Sequence, residues 1–326
     1  MKKLHKGALV AAVCSLVIFL AACGSAQETK PAGEEKLQVV TTFYPMYDFT
    51  KHVAGDLADV SVLVPSGTDT HGFEPSAKNV AEIQEADVFV YNSIEMETWV
   101  PSILETIDST DIVVVDASEG IELLDGDHAH EEEEEHAHED DHDHDHEEEG
   151  HSHEVDPHIW LDPVLAQDEV MNIKEGLVEA DPENEADYTK NAEAYQAELQ
   201  ELDEEYAAAF KDVENRLFVT QHAAFAYLAE RYDLEQISIA GLSTDAEPSP
   251  SELAEMTEFI QSQNVDYIYF GKTTSSNISE TLANETGTVL AVLDPIEGIT
   301  KEDQEAGVDY VTAMRNNLEA LKLSIR

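Results

Sequence analysis

Apolar residues along most of this chain follow two alternating rhythms. Short runs rich in β-branched and aromatic residues, such as DVFVY at 87–91, read as strands buried on both faces. Between them lie stretches with apolar residues three and four positions apart, the spacing of an amphipathic helix. The pattern predicts a strand at 37–43, a helix at 46–53, a strand at 60–64, a helix at 76–85 and a strand at 87–91. A helix at 95–107, interrupted by Pro101, and a strand at 112–115 follow. After a polar gap comes a helix at 163–179 that stops at Asp181-Pro182.

From 183 to about 211 the chain has neither Gly nor Pro, and Ala, Glu, Leu and Gln dominate. Tyr188, Ala192, Tyr195, Leu199, Leu202 and Tyr206 give this stretch one apolar face. A helix of that length would span about 40 Å, enough to act as a strut. The first rhythm then returns, with strands at 216–220, 236–240, 265–270 and 288–293. Helices are predicted at 223–231, 250–263, 278–285 and 302–323; the second opens on the capping box Ser249-Pro250-Ser251-Glu252. Strands alternating with helices imply an α/β fold with mainly parallel sheets. The expected division is an N-terminal lobe at 37–182, one long rigid linking helix at 183–212 and a C-terminal lobe at 213–326.

The N-terminus follows neither rhythm. MKKLHKG is cationic, ALVAAVCSLVIFL is apolar but short for a membrane span, and Leu20-Ala21-Ala22-Cys23 follows. Residues 1–22 therefore read as a signal peptide, and the LAAC ending resembles a bacterial lipobox that would leave Cys23 as a lipidated N-terminus. A plain cleaved signal is the alternative. Residues 23–36 read as a tether, polar and containing Pro and Gly. Cys14 and Cys23 are the only cysteines, so the mature chain has no disulfide and must bind any metal through nitrogen and oxygen. The expected location is extracytoplasmic, with membrane attachment through the lipid if Cys23 is modified.

Charge narrows the partners. Removing the 15 acids of 125–149 from the formal −54 still leaves −39, which repels phosphate backbones, so nucleic acid is not an expected partner. Cations are attracted instead, although acidity alone also serves solubility.

Outside the run at 127–153, the expected mature chain has four histidines: His52, His71, His158 and His222. His52 sits on a helix with no ligand neighbour and is expected to be a solvated or capping residue. His71 leaves the predicted strand 60–64, and His222 follows strand 216–220 directly. Both lie beyond the carboxyl ends of parallel strands, where open α/β sheets bind ligands. His158 lies in DPHIWLDP, and LDPIEG offers Asp294 and Glu297 at the last strand's end. Three imidazoles and one carboxylate, two donors from each lobe, would complete a four-coordinate site in the cleft.

Several segments carry a family resemblance: HGFEP at 71–75, DPHIWLDP at 156–163, TQHAAFAYLA at 220–229, VVTTFYPMYDFT at 39–50 and VYNSIEMETWVPS at 90–102. In composition and order these resemble the zinc-binding solute-binding proteins of bacterial ABC importers, the ZnuA/AdcA-like cluster A-I family. The resemblance covers nearly everything after residue 36. It implies two α/β lobes on a rigid helix, Zn²⁺ as transported ligand, and His71, His158, His222 and Glu297 as its ligands. Manganese members use a carboxylate matching Asp294, so that residue stays open as the fourth ligand. It also implies a cognate ABC permease with its ATPase as partners, a monomeric chain, and a place in a family that includes cell-adhesion proteins. FGKTTSS at 270–276 departs from relatives that carry acidic residues after the Phe. Imidazole-rich donor sets suit tetrahedral Zn²⁺ better than Mn²⁺; Cu²⁺ and Ni²⁺ remain chemically compatible.

Segment 125–154 contains His128, His130, His136, His138, His142, His144, His146, His151 and His153 among acids, with no apolar residue larger than alanine at 127–153. It is expected to be a disordered loop that gathers Zn²⁺ near the cleft, or else a solvated spacer. A zinc hydrolase is the competing class, but the pattern places no H-E-x-x-H on a helix and offers no G-x-S-x-G elbow. A surface adhesin or metal buffer is the third. The reading is a carrier and not an enzyme, serving zinc homeostasis.

Overall fold

The computed structural model describes residues 36–326 apart from 69, 108–110, 127–154, 243–247 and 274. The signal peptide, Cys23, residues 24–35 and the nine loop histidines lie outside the described residues.

The first sheet contains β1 (Leu37–Thr41), β2 (Ala58–Val62), β3 (Val88–Tyr91) and β4 (Val113–Asp116), all parallel in the order β2-β1-β3-β4. The second contains β5 (Leu217–Thr220), β6 (Glu235–Ser238), β7 (Tyr267–Phe270) and β8 (Val289–Val292), parallel in the matching order β6-β5-β7-β8. Both sheets are covered on two faces, which is why their strands read as near-continuous apolar runs. Alternate residues serve opposite layers: Val39 and Val90 join the core shared by both lobes, whereas Val40 and Phe89 join a second core confined to the first lobe. Phe218 and Val219 divide in the same way in the second lobe.

Helices α1 (Tyr44–Ala54), α2 (Ala77–Gln84), α3 (Val100–Leu104) and α4 (Leu165–Ala180) accompany the first sheet. Helix α5 (Glu185–Phe210) follows, then α6 (Ala226–Arg231), α7 (Pro250–Gln263), α8 (Asn277–Thr286), α9 (Lys301–Ala306) and α10 (Tyr310–Leu321). Helix α5 has 26 residues, about 39 Å. Its buried face runs Tyr188, Ala192, Tyr195, Leu199, Leu202, Tyr206 and Phe210, and packs against α1, α4 and α10. One continuous core therefore crosses from lobe to lobe beside this helix.

Two expectations need correction. The closing helix expected at 302–323 is two helices, because Gly307 adopts φ +72° at the end of α9 and Asp309 caps α10 through the Thr312 amide. The helix expected at 95–107 is only Val100–Leu104, since Glu97 turns back to accept the Asn92 and Ser93 amides. His52, expected to be solvated or capping, is half-buried. Its ring stacks on Tyr195 at 4.0 Å, and Nδ1 lies 2.8 Å from the Asp48 carbonyl oxygen.

Candidate metal centre

The carboxyl ends of both sheets face one cleft, and each donor reaches it by a local device. His71 comes from the loop after β2. His158 closes the Asp156-Pro157-His158 turn ahead of a 3-10 turn at Ile159–Leu161. His222 lies two residues past β5, and Glu297 lies five residues past β8. One donor atom from each lies within 4.8 Å of all the others.

The spacing is informative. His158 Nε2 is 3.3 Å from His71 Nε2 and 3.1 Å from His222 Nε2. Glu297 Oε1 is 3.2 Å from His222 Nε2 and 3.4 Å from both His71 Nε2 and His158 Nε2. A tetrahedron built on metal–donor bonds of about 2.0–2.1 Å has edges of about 3.3–3.4 Å. These five separations match those edges, and a three-nitrogen, one-oxygen set suits zinc. Glu297 Oε2 is buried with no hydrogen-bond partner in the protein, which would cost stability without a cation beside the carboxylate.

The surrounding groups aim the rings. Asp156 Oδ1 accepts from the His158 amide at 2.9 Å and from Nδ1–H at 2.7 Å. The Gly241 carbonyl oxygen lies 3.1 Å from His222 Nδ1, so that nitrogen carries the proton. In both rings Nε2 is left to face the centre. His71 has 12% of its side chain exposed, against 9% for His222 and at most 1% for His158 and Glu297, so it stands nearest the solvent.

Burial lowers the His158 imidazole, but the Asp156 carboxylate and then Glu297 outweigh it and push the pKa up to about 9. For Glu297, burial raises the carboxyl, yet its close contacts with the His158, His222 and His71 imidazoles hold it well below the usual carboxylate range.

Asp294 does not join the cluster. Its Oδ1 accepts the Ile296 amide at 3.0 Å, while Lys272 Nζ stands 4.0 Å from Oδ2 and 2.8 Å from Asp303. Burial pushes Asp294 up to about 6, with the Ile296 amide and Lys272 opposing. The lysine in FGKTTSS thus supplies the cation between these two carboxylates. Sequence reasoning missed Asp156, Gly241, Trp160 and Thr70; only Asp156, two positions before a histidine, left a local signal.

Two parallel α/β lobes on a shared helix, closed over a buried donor set, define the class of two-lobed solute-binding proteins. Residues 39–323 match the family of the periplasmic component A of the zinc-uptake complex, and this chain belongs to that family. Over 327 aligned residues it is 47% identical to the high-affinity zinc uptake system protein ZnuA of Bacillus subtilis, covering 100% of this chain and 99% of that protein. It is 46% identical to the zinc-binding lipoprotein AdcA of Streptococcus pneumoniae (R6), covering 96% of this chain and 60% of that longer protein. The crystal structure of the Zn(II)-bound ZnuA-like domain of Streptococcus pneumoniae AdcA superposes with a TM-score of 0.74 at 43% identity, covering 89% of this chain and 98% of that one.

Proposed function

We propose that this protein captures Zn²⁺ outside the cytoplasm with His71, His158, His222 and Glu297 and delivers it to an ABC permease driven by its ATPase. The supporting observation is the convergence of four donor atoms, two from each lobe, at tetrahedral spacing. Four protein ligands close the zinc shell, whereas catalytic zinc usually keeps a position open for water. The site therefore holds and releases its ion without acting on a further substrate. Cys23 carries the lipid that keeps the carrier at the membrane, and the working division is 37–182, 183–212 and 213–326. The nine histidines of 125–154 gather the ion ahead of the cleft.

The test uses a chain lacking 127–153, which leaves the four-donor site to report alone. After dialysis against metal-free buffer, this chain is expected to retain one zinc per molecule by elemental mass spectrometry. His71→Ala or His222→Ala should abolish that retention. Retention unchanged in both variants would sink the assignment. Deleting 127–153 in cells should slow growth only when zinc is scarce, and unaltered uptake under scarcity would reject the gathering role.

A further inference from the structure

Ile296, directly before Glu297, carries a backbone φ of +59° and is buried. A β-branched residue is strained in that left-handed region. Several contacts hold the turn there. Asp294 Oδ1 accepts the Ile296 amide at 3.0 Å. Asn317 in α10 accepts the Asp294 amide at 2.8 Å and donates to the Asp294 carbonyl at 2.6 Å. These anchors belong to the C-terminal lobe and end at the Ile296 amide. Two further donors cross the cleft from the N-terminal lobe. Trp160 Nε1–H donates to the Pro295 carbonyl at 2.8 Å, and Thr70 Oγ1–H donates to the Glu297 carbonyl at 3.1 Å.

We infer that Ile296 is a strained positioning residue, held by Thr70 and Trp160 of the opposite lobe, which presents Glu297 to the ion only while the lobes are closed. The inference rests on the zinc reading above. When the lobes part, the two cross-cleft hydrogen bonds are lost, and the strained residue relaxes toward an ordinary backbone basin. Rotation about its φ swings everything after the anchored amide, and Glu297 is the next residue. Opening thus withdraws a ligand as well as exposing the ion. Asp294, the alternative carboxylate, acts here as the brace of the turn.

The experiment is a double-mutant cycle on the release rate, measured by stopped-flow transfer of Zn²⁺ from the purified full chain to a chelator. The four proteins are wild type, Thr70→Val, Ile296→Gly and the double variant. Thr70→Val is expected to speed release about tenfold, the scale of one lost buried hydrogen bond. In the Ile296→Gly background the same change should matter less than about threefold, because glycine occupies this φ without strain. Loss of the isoleucine side chain enters both halves and cancels. If Ile296→Gly fails to fold, Ile296→Asn, which tolerates the left-handed region, takes its place with the same expectation.

An equal or larger Thr70→Val factor in the second background overturns the inference, as does an unchanged rate in the first. Absence of tight zinc in wild type would instead overturn the proposed function. Tight zinc in all four proteins with equal ratios sinks only the strained-ligand device.

Discussion

Zinc capture should depend on pH in a way set by His158. At neutral pH the zinc-free pocket keeps a proton on this imidazole, whose pKa is raised to about 9, while Glu297 stays ionised. The ion needs the Nε2 lone pair, so binding expels that proton. Between pH 7.0 and 8.5, above the ordinary imidazole range, one displaced proton raises the apparent affinity about tenfold per unit, or about 30-fold across the window. That is about 2 kcal/mol of binding free energy. The assay is competition against a chromophoric chelator of known proton linkage, on the chain lacking 127–153. Calorimetry in buffers of different ionisation heat should count about one proton released per zinc near pH 7.5. The sign for the fold itself is opposite. A histidine raised from 6.5 to about 9 stabilises the zinc-free protein fully below about 6.5, and this is lost as pH rises through about 9. The zinc-free melting temperature should therefore fall where affinity climbs. Flat affinity with no proton release over this window would refute the reasoning.

Other substitutions test the surrounding frame. Asp156→Asn removes the charge that orients His158 and should weaken zinc binding about 10- to 100-fold; a change under threefold in the competition assay would show that the ring needs no such partner. Glu169 in α4 is buried with both carboxylate oxygens unpartnered, and burial followed by repulsion from Glu97 raises it well above the carboxylate range. Glu169→Met should gain about 1–3 kcal/mol at neutral pH, with the gain shrinking toward pH 4.5 where the unfolded carboxyl is also protonated; a lowered melting temperature at pH 7 would contradict this. A Cβ at Gly176 would stand 2.2 Å from Val115 Cγ2, so Gly176→Ala should cost about 1–3 kcal/mol in urea unfolding by pushing α4 off β4, and an unchanged midpoint would refute the clash.

Much of the layout was legible because burial leaves a periodic trace. Strands covered on two faces read as apolar runs, and the one-faced α5 displayed its stripe from Tyr188 to Tyr206. The split between α9 and α10 had signals, a Gly at 307 and an Asp at 309, that a continuous helical period concealed. His71 and His222 stood out by their predicted sheet edge, and His158 with them by family resemblance. The choice between Asp294 and Glu297 was not legible from local sequence, since both belong to one turn. Side-chain direction there is set by Asn317, which is 23 residues away, and by the left-handed Ile296 that no propensity favours. Glu169 looked like an ordinary polar helix position, because burial of its carboxyl depends on tertiary packing.

The least costly release route follows from where the lobes are joined. The core beside α5 is continuous through both lobes, so wide separation would expose apolar surface that the fold depends on. The cleft side is joined by discrete polar contacts: Arg231 to Asp162 at 2.7 Å, Tyr227 to the Asp156 carbonyl at 2.6 Å, and the donors Thr70 and Trp160. Opening should therefore begin at the cleft and stay local. His71 is the most exposed of the four donors, and the loop that carries it rests on Gly298, where a Cβ would stand 3.3 Å from the Thr68 carbonyl oxygen. Lifting this loop frees one ligand and breaks the Thr70 contact in the same motion, while α5 keeps its shape. Hydrogen exchange after zinc removal should accordingly accelerate at 63–76 and 294–298 and remain slow along the buried face of α5. Equal acceleration throughout α5 would mean that the helix unwinds on release, and the route through the His71 loop would be wrong.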